Sequence, residues 1–243
     1  MGARPGLSRF EPAAAGGVVV PMGGGPESPA ARRLMIERLQ GDGIRDPQVL
    51  AAMASVTRHE FIEPALRGRA YQDVALPIGH GQTISKPSSV ARMIELIAAP
   101  IAPEDRRFAR VLEIGTGCGY QAAVLAEIFG EVVTIERIEA LHALALEHLQ
   151  PLPSRRRIRL VHGDGHLGLP GSAPFHAIVL AAALDGVLPE ALLRLLRPGA
   201  RLSAPMSLHG GQRLIIVDRT GPDDWQLAEL DTVRFVPMLG GVS

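Results

Sequence analysis

Residues 111–120 read VLEIGTGCGY, and this stretch decides the fold. A short apolar run, typical of a buried strand, leads into glycines spaced G-x-G-x-G, and residues 121–129 are expected to form a helix. Glycines at such a turn let the backbone change direction sharply and approach a ligand without a Cβ in the way. The stretch therefore predicts a strand, a glycine loop and a helix, with room for a nucleotide-like ligand beside the loop.

The glycine spacing limits which nucleotide-binding motif this loop can be. A dinucleotide fingerprint is G-x-G-x-x-G, and here Tyr120 stands where its last glycine would be. A P-loop is excluded as well, because no phosphate-binding lysine follows the glycines. A tight strand-to-helix connection without a ligand remains the simpler alternative for this stretch taken alone.

Outward from the glycine loop, short apolar runs alternate with helical patterns. Strands are predicted at 111–114, 132–135, 158–161, 177–181, 202–205, 214–218 and 233–237. Helices are predicted at 121–129, 138–149 and 189–196, and three N-terminal helices begin near Pro29, Pro47 and Pro87. The pattern predicts a Rossmann-like α/β fold, a mostly parallel sheet with helices on both faces and an added N-terminal helical layer.

Composition bounds the remaining possibilities. The 243 residues are expected to form a disordered tail over 1–30, rich in glycine, proline and alanine, and a single domain over 31–243. The 25 basic and 25 acidic residues balance, which argues against nucleic-acid binding. No apolar run is long enough for a membrane span. The single cysteine, Cys118, suits a reducing compartment, so we expect a cytoplasmic protein and a monomer.

Acidic residues follow two further predicted strands. Glu136 ends the strand after the glycine loop, and Asp164 lies in the sequence HGDG at 162–165, at the end of the next strand. Because parallel strands bring their carboxyl ends to one edge, these residues converge on the crevice where open α/β sheets bind ligands. Glu136 could accept hydrogen bonds from ribose hydroxyls, and Asp164 from an adenine amino group beside Gly165. A solvated strand end and a plain β-turn are the respective alternatives.

Together these motifs resemble those of the class I S-adenosylmethionine methyltransferases. Upstream, residues 75–87 (ALPIGHGQTISKP) are similar to a signature of the protein-L-isoaspartate O-methyltransferase family. The same family is matched by RHEF at 58–61, YQD at 71–73 and RFVP at 234–237, so the resemblance covers roughly residues 31–240. This sequence departs from the family pattern at Thr57, at Cys118 and at 181–183.

The resemblance implies an activity and a set of site residues. Members transfer a methyl group from S-adenosylmethionine to the α-carboxylate of L-isoaspartyl residues in damaged proteins and peptides, which initiates repair through a succinimide. It implies no metal, and two catalytic hydroxyls, Ser85 and the weaker candidate Thr83. It also implies a set of donor-binding residues: Glu113, Gly115, Thr116, Gly117, Gly119, Tyr120, Glu136, Asp164 and Gly165.

Several alternatives stay open at this point. Ser85 immediately precedes a predicted helix, so its hydroxyl could be a helix N-cap rather than a catalytic group. Cys118 near a helix start could be a reactive thiol, although a small space-filling residue is the simpler interpretation. The whole chain could instead methylate a different carboxylate, act as an NAD-dependent oxidoreductase, or bind adenosine without catalysis.

Overall fold

The computed structural model describes residue 25 and residues 27–243. The predicted disordered tail over 1–30 therefore lies almost wholly outside the described residues. The first helix begins at Pro29, inside the last two positions of that predicted tail.

The N-terminal helices begin as their sequences predict. Helix α1 spans Pro29–Gly41 and α2 spans Pro47–Ser55, each with a proline in its first turn. Ser28 caps α1 by accepting a hydrogen bond from the Ala31 N–H, and Asp46 caps α2 in the same way. The remaining helices are α3 (Pro87–Ala98), α4 (Tyr120–Ile128), α5 (Glu139–Leu149) and the short α6 (Glu190–Arg194).

A seven-stranded sheet forms the centre of the domain, and a separate two-stranded hairpin precedes it. The hairpin pairs β1 (Leu76–Gly79) with β2 (Gln82–Ile84). The strands of the large sheet lie in the order β5-β4-β3-β6-β7-β8-β9. Their ranges are β3 (Arg110–Ile114), β4 (Glu131–Glu136), β5 (Ile158–His162), β6 (Phe175–Leu180), β7 (Leu196–Leu208), β8 (Gly211–Arg219) and β9 (Trp225–Thr232).

The sheet is mostly parallel, as predicted. The five strands β5, β4, β3, β6 and β7 run parallel to one another, and β8 and β9 follow β7 as antiparallel strands at one edge. Alternate side chains of β3 point to opposite faces: Val111 joins a core with the helices α1 to α5, and Leu112 joins a core with α6. Because β3 and β4 are covered on both faces, their side chains are nearly all buried.

Four elements differ between the prediction and the structure. Residues 233–237 form no strand and instead lead into a segment beside the carboxyl edge of the sheet, tied by a bridge between Pro237 and Ala183. The last strand is β9, whose mixed polar sequence escaped prediction because it lies exposed at the sheet edge. The hairpin β1–β2 was predicted as loop, and the helix predicted at 189–196 is limited to α6 because β7 begins at Leu196.

Candidate active site

A cleft opens at the carboxyl edge of the parallel strands. With its open mouth it encloses about 860 Å³. Its walls are the glycine loop after β3, the end of β4, the strand β2 of the hairpin and the C-terminal segment, residues 236–243, which contributes Val236 to Leu239. The cleft therefore lies at the crevice where open α/β sheets bind their ligands.

The glycine loop has a backbone that requires glycine. Gly115, Gly117 and Gly119 have φ values of 91°, 56° and 92°, in the left-handed region that other residues rarely adopt. A Cβ at Gly117 would lie 3.2 Å from the Ile78 side chain of the hairpin. The loop and the hairpin thus approach each other closely at the floor of the cleft.

The end of β4 holds the glycine loop in place. The backbone N–H groups of Gly115 and Thr116 both donate to the carbonyl of Ile135, at 2.9 and 3.3 Å. The N–H of Gly117 donates to Oε2 of Glu136 at 2.9 Å, and Ile138 donates to Oε1 at 3.0 Å. Each Glu136 oxygen keeps a further lone pair, so a carboxylate fixed by backbone bonds can still accept hydrogen bonds from a ligand.

Glu113 lies behind the cleft wall rather than in it. It is fully buried and does not line the cleft. Burial raises its pKa to about 8, the nearby Glu136 charge adds to the rise, and the Thr134 and Gln121 side chains oppose it. Thr134 donates to Oε2 at 2.5 Å, whereas Oε1 has no hydrogen-bond partner among the described residues. A role for Glu113 in ligand binding remains a prediction, and any such role would be indirect in this conformation.

Asp164 is engaged by the C-terminal segment. Its Oδ1 accepts from the backbone N–H of His166 at 2.8 Å, and its Oδ2 accepts from the N–H of Gly241 at 2.6 Å. These hydrogen bonds lower its pKa, against the opposing effect of burial. The neighbouring Gly165 does line the cleft, and a Cβ there would lie 2.3 Å from the Ile114 side chain. Adenine binding by Asp164 stays a prediction.

The hairpin side of the cleft presents hydroxyl groups. Thr83 and Ser85 both line the cleft, Thr83 exposed and Ser85 partly buried. Helix α3 begins at Pro87. The residue at its N-cap position is Lys86, whose side chain makes no capping hydrogen bond. Ser85 therefore does not serve as the N-cap, and its partly buried hydroxyl is not used as a helix cap.

Asp73 caps α3 although it is distant in sequence, and its capping role was not predicted from the sequence. Its carboxylate accepts from both the N–H and the hydroxyl of Ser88, each at 2.8 Å, and lies 3.5 Å from Nζ of Lys86. Burial alone would raise the pKa of Asp73, but these contacts outweigh burial and lower it. A helix that starts at Pro87 without a capping residue of its own indicates that another side chain caps it, and this is the signal that could have revealed Asp73.

Tyr120 and Cys118 line the cleft but are uncharged. Burial raises the pKa of Tyr120 to about 12 and that of the Cys118 thiol to about 11. Arg58, fully buried, lies 4.9 Å from the centre of the Tyr120 ring and donates to the carbonyl of Ala70. A thiol held protonated is a poor nucleophile, so the space-filling interpretation of Cys118 fits the structure.

The structure brings most of the predicted site residues together. The members that line the cleft are Thr83, Ser85, Gly115, Thr116, Gly117, Tyr120, Glu136 and Gly165. Three others do not line it: Glu113 is buried behind it, Asp164 binds the C-terminal segment, and Gly119 is the N-cap residue before helix α4. Within residues 27–243, no three His, Cys, Asp or Glu side chains are grouped so that they could hold a metal ion.

Comparison with known proteins decides the family. The sequence profile of Protein-L-isoaspartate(D-aspartate) O-methyltransferase matches residues 30–243. The chain belongs to the protein-L-isoaspartate O-methyltransferase family. A relative of that name in Bordetella parapertussis is 55% identical over 219 residues, covering 90% of this chain and 82% of the relative. Another in Bordetella petrii is 53% identical over 240 residues, covering 98% of this chain and 85% of the relative.

Solved structures of this methyltransferase family share the fold. A structure from Plasmodium falciparum, assigned to the same enzyme and in complex with S-adenosyl-L-homocysteine, superposes with a TM-score of 0.75 at 23% identity, covering 86% of this chain and 98% of that one. A second structure, of a protein-L-isoaspartate O-methyltransferase, has a TM-score of 0.74 at 26% identity, covering 87% of this chain and 67% of that one. The predicted Rossmann-like methyltransferase fold is thereby confirmed.

The helices of this family member are short. Over residue 25 and residues 27–243, none combines the length and apolar character that crossing a bilayer requires.

Proposed function

We propose that the protein transfers a methyl group from S-adenosylmethionine to the α-carboxylate of L-isoaspartyl residues in proteins and peptides. The observation that carries the proposal is the cleft of a family member in which a glycine loop and Glu136 face the hydroxyls of Thr83 and Ser85. When bound, the donor supplies an electrophilic methyl group.

The residues of the cleft fit such a donor. The left-handed glycines at 115 and 117 leave the loop backbone open to a ligand. Glu136 offers free lone pairs for hydroxyl groups, and Ile114, Ile135 and Ile138 line the cleft with apolar surface suited to a flat base. Binding energy on this side therefore comes from groups that are already in place before the ligand arrives.

The chemistry at the acceptor side needs no strong base. A carboxylate with an ordinary pKa is already ionised at neutral pH, so no proton has to be removed from it. The hydroxyl of Ser85, which caps no helix, can donate a hydrogen bond to one carboxylate oxygen and hold the other toward the donor. Thr83, on β2 two residues before Ser85, supplies a second, more exposed hydroxyl. Rate enhancement then comes mainly from orientation and exclusion of water.

The proposal includes the partners and the location of the enzyme. Its substrates are isoaspartyl-containing proteins and peptides, and we propose that it works as a monomer in the cytoplasm without metal, nucleic acid or membrane partners. The balanced charge and the single, buried cysteine support this part.

One assay tests the activity. The protein is incubated with methyl-labelled S-adenosylmethionine and two peptides that differ only in isoaspartate or aspartate at one position. We expect base-labile label on the isoaspartyl peptide alone. Equal labelling of both peptides would point to a different carboxylate substrate, and labelling of neither would contradict methyl transfer to this class of acceptor.

A further inference from the structure

Three consecutive residues at the end of β4 hold three consecutive residues of the glycine loop. The carbonyl of Ile135 accepts from the N–H groups of Gly115 and Thr116, and the carboxylate of Glu136 accepts from the N–H of Gly117. The third contact is made by side chains: the hydroxyls of Thr116 and Thr134 lie 2.6 Å apart. The hydrogen bonds to the backbone N–H groups do not depend on the Thr134 side chain, but this hydroxyl contact would be lost with any substitution that removes the hydroxyl.

Thr134 joins the loop to the buried carboxyl behind it. On neighbouring parallel strands, Glu113 and Thr134 are direct register partners, and Thr134 donates its proton to Oε2 of Glu113 at 2.5 Å. Its oxygen is then an acceptor for the hydroxyl of Thr116, which lines the cleft. Thr134 and Glu113 are both 0% exposed, so no solvent can replace either hydrogen bond.

Glu113 has a second neighbour that lines the cleft, the Gln121 side chain of helix α4. The Gln121 side chain lines the cleft and lies close enough to Glu113 to oppose the rise of its pKa, yet its Nε2 makes no hydrogen bond among the described residues. Oε1 of Glu113 is equally without a partner there. Thr134 is thus the group that fixes one carboxyl oxygen of Glu113, while the other oxygen lies near the Gln121 side chain.

We propose that Thr134 is a positioning residue for the methyl donor, because it ties the glycine loop and Glu113 to the end of β4 and so keeps the loop in register with Glu136. It touches no ligand itself, since it does not line the cleft. The inference rests on the proposed function for the identity of the ligand. A loop that loses this tie should bind the donor more weakly, whereas donor that is bound should react at the normal rate.

The test measures binding of S-adenosyl-L-homocysteine by isothermal titration calorimetry, together with kcat and KM on an isoaspartyl peptide. Thr134→Val keeps the shape of the side chain but removes the hydroxyl. We expect Kd and the KM for S-adenosylmethionine to rise about tenfold with kcat within about twofold, a change equal to about 1.4 kcal/mol. Thr134→Ser, which restores the hydroxyl, should bring both back to within about threefold of the wild-type values.

Ser203→Ala is the matched control. Ser203 is another fully buried hydroxyl of the same sheet, on β7, and its Oγ has no hydrogen-bond partner among the described residues. Its removal should leave Kd unchanged. A folded Thr134→Val protein with wild-type Kd and KM would overturn the inference, as would equal weakening by Ser203→Ala.

A second pair keeps the inference testable if the valine variant fails to fold. Thr134→Cys has a side chain of similar size but a weak donor, so it should bind more weakly than Thr134→Ser. Equal, wild-type-like binding by both would overturn the inference. Failure of the proposed function looks different: the wild-type protein would bind S-adenosyl-L-homocysteine and yet label no isoaspartyl peptide.

Discussion

The two walls of the cleft are the one proposed to bind the methyl donor (the donor wall) and the one proposed to hold the substrate carboxylate (the acceptor wall), and they are built in opposite ways. On the donor wall, Gly115, Thr116 and Gly117 are held by hydrogen bonds to the end of β4, and Glu136 is only 4% exposed. On the acceptor wall, Thr83 is exposed, Ser85 is only partly buried, and neither hydroxyl is used to cap the helix that follows. A ligand of constant structure can be met by fixed groups, whereas peptides of varied sequence need groups that are still available.

The largest expected effect comes from Glu113, the buried carboxyl behind the donor wall. It is an effect on how the free energy of unfolding depends on pH. Because the pKa of Glu113 is raised to about 8, the native state binds more protons than the unfolded state between its ordinary pKa and about 8. The free energy of unfolding should therefore fall as pH rises through this range, by on the order of 5 kcal/mol from this residue.

Urea unfolding between about pH 5 and pH 8, on wild-type protein and Glu113→Gln, measures that contribution. The glutamine variant should lose less stability as pH rises. Parallel curves for the two proteins would show that Glu113 does not titrate in this range, and the donor wall would then be less strongly desolvated than its burial indicates.

A second prediction concerns the negative charge of Glu136 on the donor wall. Glu136→Gln should raise the Kd for S-adenosyl-L-homocysteine about a hundredfold, which equals about 2.7 kcal/mol. The carboxylate of Glu136 is charged and only accepts hydrogen bonds, whereas the amide of glutamine is neutral and one of its two polar atoms is a donor. Calorimetric titration checks it. Glu131→Gln at the opposite end of β4, where the half-exposed carboxylate pairs with Arg110, should bind normally. Normal binding by Glu136→Gln would contradict the assignment.

The acceptor wall should respond in turnover rather than in binding. Ser85→Ala should lower kcat on an isoaspartyl peptide by about tenfold to thirtyfold, since orientation of the carboxylate is lost, while Kd for S-adenosyl-L-homocysteine stays within about twofold. Thr83→Val should lower kcat by less, about threefold. Ser89→Ala, one turn into α3, serves as the control. A Ser85→Ala enzyme with full activity would remove Ser85 from the mechanism.

The last expected effect is on stability and concerns the support of the acceptor wall. Asp73→Asn should destabilise the protein by about 1 kcal/mol, because Asp73 is the cap of α3, and should lower Tm by about 3 °C. Thermal unfolding measures it. Asp105→Asn, at a 3₁₀ start where the side chain makes no capping bond, should leave Tm unchanged. Equal Tm values for Asp73→Asn and wild type would mean that α3 does not depend on this cap.

Prediction from the sequence succeeded where the pattern is local. Residues 111–120 predict a strand, glycine loop and helix, and the apolar run before Glu136 predicts β4, because burial on both faces leaves continuous apolar runs. Proline and capping residues marked the starts of α1 and α2 in the same way. The lining of the cleft by Thr83 and Ser85 also agrees with the motif.

Prediction failed where structure depends on contacts between distant segments. Strand β9 is a half-exposed edge strand without an apolar run, and its pairing with β8 defines it. Asp73 and Thr134 gain their roles from Ser88 and Thr116, which are distant in sequence. For Asp164, the sequence gives no sign that Gly241 would occupy one of its oxygens. A single sequence carries no direct record of such pairings.

The set of contacts between residues 134–136 and residues 115–117 limits how this protein can be altered. Substitutions there change one contact at a time, but an inserted or deleted residue in either segment would shift every contact after it and turn alternate side chains of β4 to the other face. Engineers who wish to lengthen the chain should look instead to exposed turns such as Gly221–Asp224 between β8 and β9, where added residues cross no buried hydrogen bond of the cleft.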